Sequence, residues 1–94
     1  MIDPKKIKKV VIPSSVNRIG KKAFYGCKNL KNITIKTIKL TKKKVGSKAF
    51  SGIHAKAVIK VPKKKQSAYK KILKARGVTK KEKVQAIKVK FKKA

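Results

Sequence analysis

Val10 to Ile35, VVIPSSVNRIGKKAFYGCKNLKNITI, opens and closes on the same kind of short apolar strand, and parts of it recur along the chain. Val10 and Ile12 return as Ile33 and Ile35, a shift of 23. Ile19-Gly20-x-x-Ala23-Phe24-x-Gly26 returns as Val45-Gly46-x-x-Ala49-Phe50-x-Gly52, a shift of 26. The strand returns once more as Ile59 and Val61, again after 26. Self-similarity at a period of about 20–30 residues marks a solenoid, in which each unit buries its apolar face against the next.

Working outward, Ile7-x-x-Val10-x-Ile12-Pro13 aligns with Leu30-x-x-Ile33-x-Ile35 and reads as the tail of a preceding unit. Alternation at Val10 and Ile12 predicts a half-buried strand that Pro13, with no N–H to give a ladder, brings to a stop. Val16 to Ile19 predicts a second short extended piece, and Gly20 the tight turn after it. Ala23, Phe24 and Cys27 fall on one face of a helical turn that Gly26 ends. The second unit runs from Lys36 to Val61, about three residues longer around Ile38 to Lys44. In it Ile53 stands in the place of Cys27, and Lys56 in that of Leu30.

From Pro62 the pattern changes. Ala68, Tyr69, Ile72, Leu73 and Ala75 recur at helical spacing with Gly77 just beyond, which predicts an amphipathic helix. Lys80 to Lys83 reads as a charged loop, and Ile87, Val89 and Phe91 as a final amphipathic strand. An open solenoid end needs a cover, so residues 1–62 read as repeats (one partial unit and two units) and residues 63–94 as a C-terminal cap.

The 94 residues make one domain with a small core. The charge is unusual: 31 basic residues stand against two acidic ones, Asp3 and Glu82, for a formal net charge of +29. Only Arg18 and Arg76 are arginines. Such a chain repels itself and adheres to polyanions; a gene of biased base composition that fills solvent-facing positions with lysine codons would give the same coat. One cysteine, Cys27, cannot form an internal disulfide and does not fix the redox compartment. The start has no apolar signal-peptide core, and no run nears the roughly 20 apolar residues of a membrane span. The chain reads as soluble, and as a piece that could be cut from a longer secreted protein.

The phrase Ile12-Pro13-Ser14-Ser15-Val16-x-x-Ile19-Gly20-x-x-Ala23-Phe24-x-Gly26-Cys27-x-x-Leu30-x-x-Ile33-x-Ile35 resembles the BspA-like leucine-rich repeat, also called the Treponema pallidum type. The resemblance covers residues 7 to 62, and Val61-Pro62-Lys63 through Gly77 is similar to the end cap that often follows such repeats. It implies an α/β fold: a short curved solenoid with a parallel sheet on its concave face, closed by a C-terminal helix and strand. It also implies a bacterial or protozoal surface protein that binds host proteins, other cells or matrix.

Period-two alternation sends Val10/Ile12, Ile33/Ile35 and Ile59/Val61 inward. The outward positions, which become the candidate ligand face, are then Lys9, Asn32 and Val58 in one row and Val11, Thr34 and Lys60 in the next. Lys8, Lys31 and Ala57 flank them. Lysine holds four of these nine positions, so the face is mixed, and an ordinary solvated sheet face is the competing reading.

Catalytic and metal chemistry find little support. Cys27 sits where the repeat wants a small buried group, and His54 is the only histidine, so no four-ligand metal site can be assembled; a Cys–His dyad would need Cys27 exposed and His54 brought to it, which the repeat alignment disfavours. Two distant carboxylates offer little for acid–base work, and no glycine-rich phosphate loop is present. No cofactor is expected. Phe24 and Phe50 recur as core anchors, which leaves Tyr25, Tyr69 and Phe91 too scattered for a base-stacking surface. Lysine is a point charge without arginine's planar fork, so any nucleic-acid binding would be electrostatic and blind to sequence. The basic helix could lie on an anionic membrane, but docking on the last repeat explains its apolar stripe more simply. Asn32-Ile33-Thr34 matches a glycosylation sequon, a pattern common by chance.

These readings point to a non-enzymatic binding or adhesion module, cell-surface or secreted, whose lysines favour a protein or anionic-polymer partner. A nonspecific nucleic-acid-binding protein, cytoplasmic in location, is the alternative; a gene fragment without a role of its own is a third reading.

Overall fold

The computed structural model describes residues 6–79 and 81–87. Four short strands, β1 (Lys9–Ile12), β2 (Asn32–Ile35), β3 (Val58–Val61) and β4 (Lys83–Ala86), lie side by side in sequence order. All three pairings are parallel. The register sets Val10 beside Ile33, Ile33 beside Ile59, and Ile59 beside Val84, so each inward residue stacks on its counterpart in the next unit. Ile33, Ile35, Ile59 and Val61 are fully buried. The helix α1 (Gln66–Ala75) follows β3.

Across the core from the sheet, the turns that follow each strand form a second ladder. The N–H groups of Lys22, Phe24 and Gly26 donate to the carbonyls of Ser47, Ala49 and Ser51, at 3.0, 2.8 and 2.9 Å. Ile19 and Val45 form a parallel bridge between the same two layers, and the Phe24 and Phe50 rings stack at 5.4 Å. The layers lie so close that a Cβ on Gly46 would sit 2.3 Å from the backbone nitrogen of Lys21. No side chain fits there. Glycine at position 46 is therefore a condition of stacking.

The third layer is the cap. The Phe50 N–H donates to the carbonyl of Arg76 at 3.0 Å, as Phe24 does to Ala49. The Arg76 guanidinium then reaches back to the carbonyls of Val45 and Lys42. Nothing local favours the start of α1: Lys63, Lys64 and Lys65 crowd its positive end and no side chain caps it. Tyr69 and Leu73, four residues apart on one face, are buried at 1% and 2% exposure and hold it down. Ala68 and Ala75 face solvent. Gly77, at φ +117°, turns the chain so that the Val78 N–H bonds the Leu73 carbonyl.

The longer second unit is the socket for this cap. Thr37 and Leu40, in the added stretch, are buried. The Tyr69 hydroxyl donates to the Thr37 carbonyl at 2.7 Å and accepts the Leu40 N–H at 3.2 Å. The Thr37 hydroxyl in turn donates to the Val16 carbonyl at 2.5 Å.

Three expectations are corrected. Lys83 lies not in a loop but in the strand Lys83–Ala86, the last among the described residues; Lys80 and the Val89 and Phe91 of the expected final strand lie outside the described residues. Lys56 does not replace Leu30. The turn bond from Leu30 N–H to the Cys27 carbonyl is matched by one from Ala57 N–H to the His54 carbonyl, a shift of 27. That one-residue slip puts Ala57 in the core, fully buried, and leaves Lys56 in solvent. Phe24, finally, is only half-buried, because no described layer covers its outer ring face.

Removing a ring from a closed core leaves a cavity, so Phe50→Ala should lose about 3–5 kcal/mol in urea unfolding and Phe24→Ala clearly less; equal losses would contradict the layer order. Tyr69→Phe keeps the packing but strands the Thr37 carbonyl and the Leu40 N–H in the core. It should cost about 1–3 kcal/mol, and an unchanged unfolding midpoint would mean that the cap does not use this lock. Burial raises the Cys27 thiol above its ordinary value, so the folded protein keeps that proton longer than the unfolded chain. The linked stability is whole below the unfolded thiol's pKa and declines as pH rises past it. The alkaline decline should accordingly be shallower in Cys27→Ala than in the parent, as read by melting temperature against pH; parallel curves would contradict the burial.

Candidate binding face

Two rows of outward side chains cross the sheet. Lys9, Asn32, Val58 and Lys83 form one, and Val11, Thr34, Lys60 and Gln85 the other, each set in register by the strand pairing. With neighbouring strands about 4.8 Å apart, the rows reach roughly 14 Å from β1 to β4. Lys9, Asn32, Thr34, Val58 and Lys60 line a single shallow depression of about 290 Å³ over Ile33. Five of the nine positions expected on or beside the ligand face are thus brought together. Val11 is exposed on the same surface at the sheet edge, and Lys8 and Lys31 stand exposed just ahead of their strands. Ala57 is not part of the face; it shares the inward parity of Ile59 and Val61 and is fully buried.

Lys83 and Gln85 were missed. The signal was present: Val84 and Ala86 follow Ile59 and Val61 at a shift of 25, close to the 26 that precedes it. The stronger apolar alternation from Ile87 onward drew the reading away.

The electrostatics of the face are one-signed. Lys9, Lys60 and Lys83 point from it into solvent. The single described carboxylate, Glu82, is occupied in a turn, where it accepts the Thr79 N–H and hydroxyl. Among the described residues no lysine is buried. The described lysines therefore carry their charge on solvated heads over apolar stems. Between the lysines the floor is neutral, made of Asn32, Thr34 and Val58. It offers amide, hydroxyl and methyl contacts but no aromatic platform.

The other candidates fall into structural roles. Cys27 is 2% exposed, within the core. The His54 Nδ1 accepts the Lys56 N–H at 2.9 Å, which ties the ring to its own turn. Among the described residues no three His, Cys, Asp or Glu side chains gather where a metal could be held. No described helix is long and apolar enough to cross a membrane. Tyr25, half exposed, carries the Lys22 ammonium 5.3 Å from its ring centre, on the turn side and away from the sheet face.

Comparison with known proteins agrees with the architecture. A family model described as a BspA type leucine rich repeat region (6 copies) matches residues 3–90, which takes in the cap helix and β4 as well as the two repeats. No curated protein and no solved structure matches the chain. Repeat period, parallel register and family model coincide, and the chain belongs to the BspA-type leucine-rich-repeat family.

Proposed function

We propose that this protein is a non-enzymatic interaction module that engages an acidic partner through the open sheet face, as part of a bacterial cell-surface or secreted adhesion protein. Membership of a repeat family of binding scaffolds supports the general role. The observation that carries the specific reading is the face itself: Lys9, Lys60 and Lys83 surround a neutral floor of Asn32, Thr34 and Val58, with no carboxylate among them. Polar groups between charges let a partner be recognised by shape as well as by sign. The occupant that fits is a protein segment or anionic surface polymer with negative groups spaced over about 14 Å. The face has neither arginine forks nor stacked aromatics, which favours carboxylates over bases.

Poly-L-glutamate is a suitable probe, titrated across a salt series. Lys9→Glu, Lys60→Glu and Lys83→Glu together should weaken its binding about tenfold more than an equal charge change on the turns and helix (Lys43→Glu, Lys48→Glu and Lys71→Glu). All six lysines are exposed, so neither triple variant disturbs the core. Equal losses in the two triples, vanishing together as salt rises, would reduce the protein to a generic polycation and refute the face.

A further inference from the structure

The open face of the sheet does not stop at the last residues of its strands. The Lys36 N–H donates to the Ile12 carbonyl and the Ile87 N–H to the Val61 carbonyl, both at 2.8 Å, so the ladder runs one step past β2 and β4. The alternation runs on with it. Ile35, Val61 and Ala86 have inward parity, so Lys36, Pro62 and Ile87, one residue further on, share the outward side with Thr34, Lys60 and Gln85. They make a third outward row. Two residues of strand span about 7 Å, which sets its distance from the second.

This row differs in chemistry from the two before it. Thr34, Lys36, Pro62, Lys63, Lys64 and Ile87 line an open hollow of about 850 Å³, against about 290 Å³ for the depression over Ile33. Pro62 and Ile87, half-buried and side by side at the exits of β3 and β4, give it a hydrocarbon floor. Pro62, at φ −57°, leads into the tight turn Lys63–Lys65, and that turn supplies two more lining residues. Lys36, Lys63 and Lys64 are exposed, with stems that extend the apolar lining and ammonium groups that reach solvent. Among the described residues no carboxylate lines the hollow.

Thr34 lines both the hollow and the depression, so one ligand can cross from one to the other. A hydrocarbon floor ringed by ammonium groups matches a ligand that is acidic and also carries an apolar group. A polymer of sugars and phosphates has no such group to place there; a peptide has. In an extended peptide about 7 Å is again two residues. An aliphatic or aromatic side chain two residues from a carboxylate therefore reaches Pro62 and Ile87 while the carboxylate stays beside Lys60.

We propose that the hollow is the specificity pocket of the sheet face, and that it takes a large aliphatic or aromatic side chain of an acidic peptide segment. This assignment rests on the sheet face being the site of the acidic partner, and it narrows that partner to a peptide.

The test uses the full chain and three peptides of about ten residues: an oligoglutamate ending in two serines, the same chain ending in two leucines, and an oligoserine ending in two leucines. Partial burial of the leucines should make the second bind about tenfold tighter than the first. Salt should weaken both acidic peptides and leave their ratio unchanged. The oligoserine peptide should not bind measurably. Pro62→Ser and Ile87→Ser, each at constant charge, should remove the gain from leucine and leave the affinity for the serine-ended peptide as it was. Equal affinity of the two acidic peptides for the parent protein would overturn the pocket. So would a gain that survives both serine variants, or oligoserine binding as tight as that of the leucine-ended acid. The Lys9→Glu, Lys60→Glu and Lys83→Glu triple tells the two readings apart. If it weakens both acidic peptides while leucine brings no gain, the face stands and the pocket falls. If it weakens neither, the face falls and the pocket with it.

Discussion

The structure depends on one repeated contact: the N–H groups of each turn layer entering the carbonyls of the next, with a phenylalanine ring laid on the phenylalanine before it. Phe24 to Ala49 and Phe50 to Arg76 are the same bond made twice. Sheet pairing could be satisfied by many arrangements of four short strands. The turn ladder cannot, because it fixes the spacing, direction and order of the layers together. Gly46 shows how tightly: its missing Cβ is the room in which the backbone at Lys21 sits. A solenoid held in this way has stability that is nearly a sum over adjacent layers. Each of its few layers therefore matters, and the cap supplies one that the sequence repeat does not.

The same one-dimensional build explains how a chain of net charge +29 stays folded. Inward positions repeat with the unit and are filled by Ile, Val, Leu, Ala, Phe and Cys. Everything between them points to solvent, where a lysine costs little beyond repulsion that salt screens. The lysine coat is thus compatible with the fold without being required by it. That is why charge alone is a poor guide to function here, and why the arrangement of Lys9, Lys60 and Lys83 around neutral neighbours carries more weight than their number.

Most of the architecture could be read in the sequence because a repeat is its own alignment. Val10, Ile33 and Ile59 announced three strands, and the Tyr69-Ile72-Leu73 stripe the helix. The failures have physical causes. Val84 and Ala86 are too small to announce a strand on their own; they belong to one because β3 offers a parallel edge beside them. Ala57 could not be told from a surface residue until the turn bond to His54 revealed the slip of one residue. Burial at Phe24 depends on what lies outside it, a property of the stack and not of the residue. The candidate face was legible wherever the strand register was, at Lys9, Asn32, Thr34, Val58 and Lys60, and was lost where the register was misjudged, at Lys83 and Gln85.

The cap and the open end show why the polarity of the chain matters. The two sides of a turn layer are not equivalent: Lys22, Phe24 and Gly26 give N–H groups to the layer that follows, while Gly46 gives one back, to the Ile19 carbonyl. Closing the donor side takes carbonyls, which Arg76 provides from a tight helix exit, with Tyr69 and the Arg76 side chain binding the longer loop of the second unit. That device works only on a unit carrying the stretch around Thr37 and Leu40, so it could not have closed the shorter unit that precedes it. The receiving side has no such device among the described residues. Water can satisfy its carbonyls, but among the described residues nothing covers the outer face of the Phe24 ring or the methyl of Ala23.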